Sequence, residues 1–183
     1  MGIIGMVATL LMALAIIYFR DALRDLQGLG YLGVFLISIM GGATIIIPVP
    51  MLAVVFALGG VMHYTWLVGL CAGLGEVIGA LTIYMTGHGA GTAFMNRRAG
   101  RIQRAYERMM ALMEKRSSLT LFILAAVVNP FFYPAALAAG AMRFSIRKYF
   151  LICFVGKTIK GMTVVYAGFW GLKGIFRAIG VDL

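Results

Sequence analysis

Long apolar blocks alternate with short polar segments along the chain. Three of the blocks, residues 1–19, 66–87 and 149–172, have about the 20 residues that a helix needs to cross the hydrocarbon core of a bilayer, and they predict transmembrane helices. The first block lacks a charged start and a small-residue cleavage site, which favours a retained anchor over a removed signal peptide.

Residues 119–142 form an apolar block that Pro130 and Pro134 interrupt, beside the polar residues Asn129 and Tyr133. Each arm is too short to span a membrane, and proline breaks helical hydrogen bonding. The block therefore predicts a re-entrant hairpin. Exposed backbone at membrane depth is tolerated only inside protein or beside a wet cavity, so the tip of this hairpin also predicts a cavity.

Residues 30–61 repeat this design, with Pro48 and Pro50 near the middle of the block. Arms of this length barely reach across a hydrocarbon core of about 30 Å. The block predicts a second re-entrant hairpin with the prolines at its tip. A kinked pair of short spans also fits.

Residues 97–116 form a polar segment in which basic residues outnumber acidic ones and apolar residues recur at helical spacing. This pattern predicts an amphipathic helix on the cytoplasmic face, because positive charge marks that side of a membrane. Its charge is either a docking surface for anionic lipid or a determinant of topology and no more. Counting spans from this helix places the N-terminus in the cytoplasm.

Three ionisable residues lie inside predicted spans. Glu76 is near the middle of the predicted span 66–87, and Lys157 and Lys160 lie about two turns into the predicted span 149–172. Such groups are costly in lipid and usually functional, so we expect Glu76 to be either protonated or close to a cation, with Lys157 or Lys160 as the candidate. The two lysines share a helix face and suit a phosphate headgroup. In the alternative, both snorkel to the cytoplasmic interface.

The two halves of the chain match in spacing, because Gly59 precedes Glu76 by as many residues as Gly140 precedes Lys157. Each half contains a hairpin followed by a helix with an ionisable group, and the two halves run in opposite directions. The predicted fold is an all-α integral membrane protein: an inverted repeat of re-entrant helical hairpin plus transmembrane helix, with an N-terminal transmembrane helix and a cytoplasmic amphipathic helix. Such repeats place their site at the interface between the halves.

The composition supports a single membrane domain, with 62% hydrophobic residues, 12% charged residues and 24 glycines that suit close helix packing. The net charge of +10 lies between apolar segments, which is typical of membrane orientation and not of nucleic-acid binding. The sequence contains no Ser-His-Asp set, phosphate loop or metal cluster. We therefore expect no enzyme activity, no cofactor and no metal site.

Each half also carries short motifs. They are Gly73-Leu74-Gly75-Glu76, Tyr84 and Gly87 in the first half, and Asn129-Pro130, Ala138-Ala139-Gly140, Gly156-Lys157 and Lys160 in the second. The second set resembles the VTT domain of the vacuole membrane protein branch. The first set is similar to the wider DedA superfamily, also called SNARE-associated Golgi proteins. The resemblance covers about residues 30–170.

The resemblance implies a multi-pass protein with two re-entrant hairpins that takes part in lipid scrambling, or in flipping phospholipids or polyprenyl phosphates. It matches Glu76 to the family's intramembrane acid, and it matches the hairpin tips to Pro48, Pro50, Asn129 and Pro130.

The chain departs from the DedA pattern at Met51 and Leu52, where an acid is usual, and at residues 131–133, where an arginine is usual. A proton-coupled mechanism for polyprenyl phosphates is therefore not carried over.

The sequence thus predicts a phospholipid scramblase or flippase that moves headgroups through a polar groove between the hairpins. The predicted path contains Glu76, Asn129, Tyr133, Lys157 and Lys160. The alternative is a proton-coupled transporter of a small solute or amphipathic drug, with Glu76 as the proton site. Expected partners are membrane phospholipids, with a homo-oligomer as a further option. The expected location is the plasma membrane of a bacterium or archaeon.

Overall fold

The computed structural model describes residues 27–43, 48–90 and 101–178. In these ranges the protein is all-helical, with six helices and no strand. The helices are α1 (Gln27–Ala43), α2 (Pro48–Val61), α3 (Thr65–Ala90), α4 (Arg101–Ala126), α5 (Phe132–Ala141) and α6 (Ile146–Ala178). The predicted N-terminal helix, residues 1–19, lies outside the described residues.

Helices α3 and α6 are long and apolar enough to cross a membrane. Their apolar parts are Thr65–Gly89, with 25 residues, and Ile146–Gly171, with 26 residues. At 1.5 Å per residue each is about 38 Å long, which exceeds a hydrocarbon core of about 30 Å. These two helices cover the predicted spans 66–87 and 149–172.

Helices α3 and α6 pack against each other at the centre of the protein, in opposite directions. A side chain at Gly69 would come within 3.2 Å of the Met162 Cα atom, and one at Gly73 within 2.7 Å of the Thr158 Cα atom. Contacts this close leave no room for a larger residue. The glycines that the sequence places at spacing four therefore let the two backbones approach each other.

The other four helices surround this central pair in a crossed arrangement. Helix α1 packs on α3 and α4 packs on α6, whereas α2 packs on α6 and α5 packs on α3. Gly59 of α2 meets the backbone of Val165, and Gly140 of α5 meets the backbone of Tyr84. The two contacts correspond to each other, because Gly140 follows Gly59 by 81 residues and Val165 follows Tyr84 by the same number.

Helix α4 bends at Arg116, whose φ of −150° and ψ of 60° are not helical. The sequence predicts two separate elements here, an amphipathic helix that ends at residue 116 and an apolar arm that begins at residue 119. The backbone is helical on both sides of Arg116 and non-helical at this residue, so the two segments follow each other without an intervening loop.

Candidate functional site

Two apolar clusters make up the core. One contains the second half of α3, residues of α4, helix α5 and the first half of α6, and the other contains α1, α2, the first half of α3 and the second half of α6. Glu76 on α3, and Lys157 and Lys160 on α6, lie at the boundary between the clusters and are all buried. The antiparallel packing of α3 on α6 brings these residues together.

One carboxylate oxygen of Glu76 accepts hydrogen bonds from both lysines. The distance from Lys157 Nζ to Glu76 Oε1 is 2.5 Å, and Lys160 Nζ donates to the same oxygen. The exposed fractions are 4% for Glu76, 1% for Lys157 and 9% for Lys160. The expectation that Glu76 lies close to a cation is confirmed, and both lysines supply one. The alternative in which the lysines snorkel to the interface is wrong, because both ammonium groups point into the core.

The two lysines differ in how completely they are enclosed. The Lys157 ammonium lies 3.8 Å from the centroid of the Phe132 ring, which covers it as a cation–π partner. The side chain of Lys157 is 2% exposed, and that of Lys160 is 11% exposed. Lys160 is therefore the more open cation of the pair.

The charges in this cluster do not balance. One carboxylate faces two ammonium groups, so the cluster of Glu76, Lys157 and Lys160 carries one positive charge in excess. A buried charge without a partner is costly, and such groups in membrane helices commonly mark substrate paths. The cluster is suited to receive an anion.

Three buried polar atoms near the cluster lack a hydrogen-bond partner in the described part of the chain: Ser38 Oγ, Glu76 Oε2 and Thr158 Oγ1. Ser38 packs at Gly75, and Thr158 packs at Gly73, so both flank the turn of α3 that leads to Glu76. Unpaired polar atoms are rare in protein interiors and require a reason. Of the three atoms, Glu76 Oε2 belongs to the cluster itself, and Ser38 and Thr158 pack on α3 within one turn of Glu76 along the chain.

The predicted path residue Asn129 makes four hydrogen bonds to backbone. Its Oδ1 accepts from the amides of Phe131 and Phe132 at 2.9 and 3.0 Å, and its Nδ2 donates to the carbonyls of Leu124 and Val127, both at 2.9 Å. The side chain thereby joins the end of α4 to the start of α5. This geometry gives Asn129 a structural task, and its predicted part in transport stays a prediction.

Tyr133 is also buried, and its hydroxyl donates to the carbonyl of Gly41 at 3.0 Å, which connects α5 to α1. Helix α2 begins at Pro48 and α5 begins two residues before Pro134. A proline in the first helical turn is tolerated, because the amide that it lacks would have no helical partner there.

The predicted hairpin-tip prolines thus fall just before α5 or within the first turns of α2 and α5. They are Pro48, Pro50, Pro130 and Pro134.

Sequence reasoning missed Phe132 as a member of the site. A phenylalanine in an apolar helix gives no sequence signal of contact with a charge, because that contact depends on how α5 packs on the central pair. In the described ranges, no group of three His, Cys, Asp or Glu residues gathers to hold a metal ion.

Comparison with known proteins gives one match. The family model of the VTT domain matches residues 47–169, a segment that contains Glu76, Lys157 and Lys160. No curated protein and no solved structure matches the chain.

Proposed function

The chain belongs to the VTT domain family, and from this premise we propose that it moves phospholipids between the two leaflets of a membrane, as a scramblase or flippase. The family match and the apolar helices α3 and α6 identify a membrane protein. In the proposed mechanism the headgroup passes through a polar groove while the acyl chains stay in the bilayer. The protein supplies binding groups and no covalent chemistry.

The excess positive charge of the buried cluster is the observation that carries this proposal. A phosphate headgroup that crosses bare hydrocarbon must lose its hydration, which costs many kcal/mol for an ion. Lys160 and Lys157 can replace part of that hydration, because an ammonium group binds phosphate as a point charge. Lys160 is the more open of the two and would meet the phosphate first, while Lys157 keeps its contact with Glu76.

The unpaired polar atoms support the same path. Ser38 Oγ and Thr158 Oγ1 can donate hydrogen bonds to a phosphate ester, and Glu76 Oε2 can accept one from a headgroup hydroxyl or amine. These groups come from three different helices. In the proposed path these groups are further partners for a headgroup, in addition to the two lysines.

The architecture of two inverted repeats remains part of the proposal, and the glycine contacts support it. The contact of Gly168 with Phe56 corresponds to the contact of Gly87 with Leu137. Gly168 follows Gly87 by 81 residues, and Leu137 follows Phe56 by the same number. The same shift relates Glu76 to Lys157. The symmetry exchanges Glu76 and Lys157, so this ion pair would lie on the axis between the two repeats. Folds of this type place their substrate at the interface between the repeats.

The re-entrant hairpins, the cytoplasmic N-terminus, a bacterial or archaeal plasma membrane and a homo-oligomer also remain proposals. The crossed packing of α2 on α6 and of α5 on α3 fits hairpins that are held by the opposite repeat.

The decisive experiment reconstitutes the full chain in vesicles with fluorescent phospholipid in both leaflets and without any gradient or nucleotide. A membrane-impermeant reductant then bleaches only the lipid that reaches the outer leaflet. If the protein scrambles, bleaching proceeds beyond the outer-leaflet fraction. If bleaching stops there, passive scrambling is wrong. An imposed pH gradient with labelled lipid or labelled solute then separates driven flipping from the alternative of proton-coupled solute transport.

Variants of the lysines link the activity to the cluster. A hydrogen bond to a charged group is worth about 1.5–3 kcal/mol, so replacing both Lys157 and Lys160 with Gln should slow lipid movement about tenfold or more. Replacing both with Arg should preserve more activity than Gln does. Lys115→Gln removes an exposed charge from α4 and is the matched control. If the double Gln variant scrambles normally, the lysines are not part of the path.

A further inference from the structure

A groove lies on the surface between α3 and the first two turns of α6, away from the buried cluster. Its volume is about 460 Å³, and it is lined by Leu81, Ile146, Arg147, Phe150 and Leu151. Four of these five residues are apolar, and Leu151 is 61% exposed. The groove therefore offers an open apolar slot with a single guanidinium at its edge.

The charge around this groove is positive and uncompensated. Arg143, Arg147 and Lys148 are all exposed, and none of them has an acidic partner in the described part of the chain. The first turn of α6 contains no acidic residue. Basic residues at the start of a helix add to the positive end of its dipole, so this end of α6 attracts anions.

After the end of α5, an arginine occupies a left-handed backbone position where glycine is usual. The amides of Arg143 and Phe144 donate to the carbonyls of Gly140 and Ala139, at 3.0 and 2.9 Å, which closes α5 with a Schellman motif. Arg143 occupies the left-handed position of this motif, with a φ of 53°. A side chain there costs about 1 kcal/mol relative to glycine. The chain nevertheless carries arginine at this position, three residues before the groove residue Ile146.

Two buried tyrosines hold this region on α3. The hydroxyl of Tyr84 donates to the carbonyl of Phe144, and the hydroxyl of Tyr149 donates to the carbonyl of Ala80 at 3.2 Å. The turn before α6 and the first turn of α6 are thus fixed against the central helix. The groove and its basic edge are pre-formed, which lowers the entropic cost of binding.

We propose that this groove is a binding site for an anionic phospholipid, with an acyl chain between Leu81 and Leu151 and the phosphate on Arg147. A soluble anion would use only the charge, and a zwitterionic lipid would use mainly the apolar slot. An anionic lipid satisfies both features, and basic pockets between membrane helices are known to bind such headgroups. Arg147 precedes Lys157 by ten residues, about 15 Å along α6, so this site is separate from the transport path.

The inference goes beyond the proposed function, because it concerns equilibrium binding and does not require that the protein move lipid. If the positive charge of α4 and of the α5–α6 turn marks the cytoplasmic side, the site faces the cytoplasmic leaflet. The bound lipid would then be drawn from the leaflet in which anionic lipids are enriched.

Native mass spectrometry of the full chain in detergent tests the site, with phosphatidylglycerol and phosphatidylcholine of identical acyl chains as probes. Phosphatidylglycerol should bind more tightly. Arg147→Gln should weaken its binding about fivefold without changing the binding of phosphatidylcholine, and Arg147→Lys should restore most of the loss. Leu151→Trp, at an exposed position, fills the slot and should weaken both lipids. Lys115→Gln should change neither.

Three results would overturn the inference. The first is an Arg147→Gln variant that binds phosphatidylglycerol as the parent protein does. The second is an equal loss in Lys115→Gln, which would mean diffuse surface charge and no defined site. The third is full competition by glycerol phosphate, which would indicate a site for a free anion. If lipid binding is lost only when Lys157 and Lys160 are both Gln, the lipid occupies the buried cluster, and the proposed function stands without the second site.

Discussion

Replacing Glu76 with Gln removes the only carboxylate of the buried cluster and leaves two ammonium groups without a counter-charge in the described core. At the observed distance of 2.5 Å between Lys157 Nζ and Glu76 Oε1, the Coulomb attraction is about 7 kcal/mol for an effective dielectric constant of about 20. The desolvation of each ion costs several kcal/mol and offsets most of this attraction. The intact ion pair therefore changes the free energy of unfolding little, whereas the loss of one partner lowers it.

The expected loss follows from this balance. Removal of one partner from a buried ion pair costs about 3–5 kcal/mol, and Glu76→Gln strands two lysines at once. For a protein of this size, each kcal/mol shifts the melting temperature by about 2–4 °C. Glu76→Gln should therefore lower the melting temperature by roughly 6–20 °C.

The lysine variants should behave differently, because they remove the excess charge. Lys160→Met leaves Glu76 and Lys157 as a balanced pair, so the free energy of unfolding should change by no more than about 1 kcal/mol. The triple variant with Gln at position 76 and Met at positions 157 and 160 has no buried charge. Its stability should return close to that of the parent chain, while its lipid movement should remain lost.

Thermal unfolding of the purified variants in one detergent, followed by intrinsic fluorescence, measures these differences. The reasoning is refuted if the triple variant is as unstable as Glu76→Gln, because the loss would then come from packing and not from charge. It is equally refuted if Lys160→Met destabilises the protein as much as Glu76→Gln does. Lys115→Met, at an exposed position, controls for the general effect of removing a lysine.

Three further predictions concern packing and are measured by the same unfolding assay. Asn129→Ala should cost about 1–2 kcal/mol, because it removes four backbone hydrogen bonds between α4 and α5; an unchanged melting temperature would exclude this role. Tyr133→Phe should cost about 1–2 kcal/mol, because it leaves a buried carbonyl of α1 unpaired; a neutral result would mean that water replaces the hydroxyl. Gly140→Ala should destabilise by more than about 1 kcal/mol because the backbone of α3 is in the way, whereas Gly89→Ala meets open space and should be neutral or stabilising. Equal effects of the two glycine changes would contradict the close packing of α5 on α3.

The central pair of helices could be predicted from the sequence, because uninterrupted apolar runs of spanning length have few alternatives. The meeting of Glu76 with Lys157 and Lys160 could also be predicted, since buried charges need partners and the matched spacing of the halves aligned them. The sequence could not predict that both lysines donate to the same carboxylate oxygen of Glu76. This detail depends on the distance between α3 and α6, which the contacts at Gly69 and Gly73 set.

Roles that depend on neighbouring helices were beyond sequence reasoning. Asn129 reads as a polar residue at a hairpin tip, but its side chain is engaged with four backbone groups of α4, the following turn and α5. Phe132 reads as one more apolar residue, but its ring covers an ammonium group. Arg143 gives no sequence signal of its left-handed backbone, because glycine is the usual residue at such a position. In each case the local pattern fits several environments, and tertiary packing selects one.

The crossed packing of the short helices has a consequence for how the chain is made. Helix α2 rests on α6, and Gly59 meets Val165 more than a hundred residues further along the chain. During synthesis the first half therefore leaves the ribosome without the surface that α2 needs, and α5 must find α3 across the 56 residues that separate Gly140 from Tyr84. Such distant contacts slow folding, since a large loop must close before any contact forms. The two halves should thus mature together after insertion, and each half expressed alone should be recognised as incomplete by quality-control proteases until the other half is supplied.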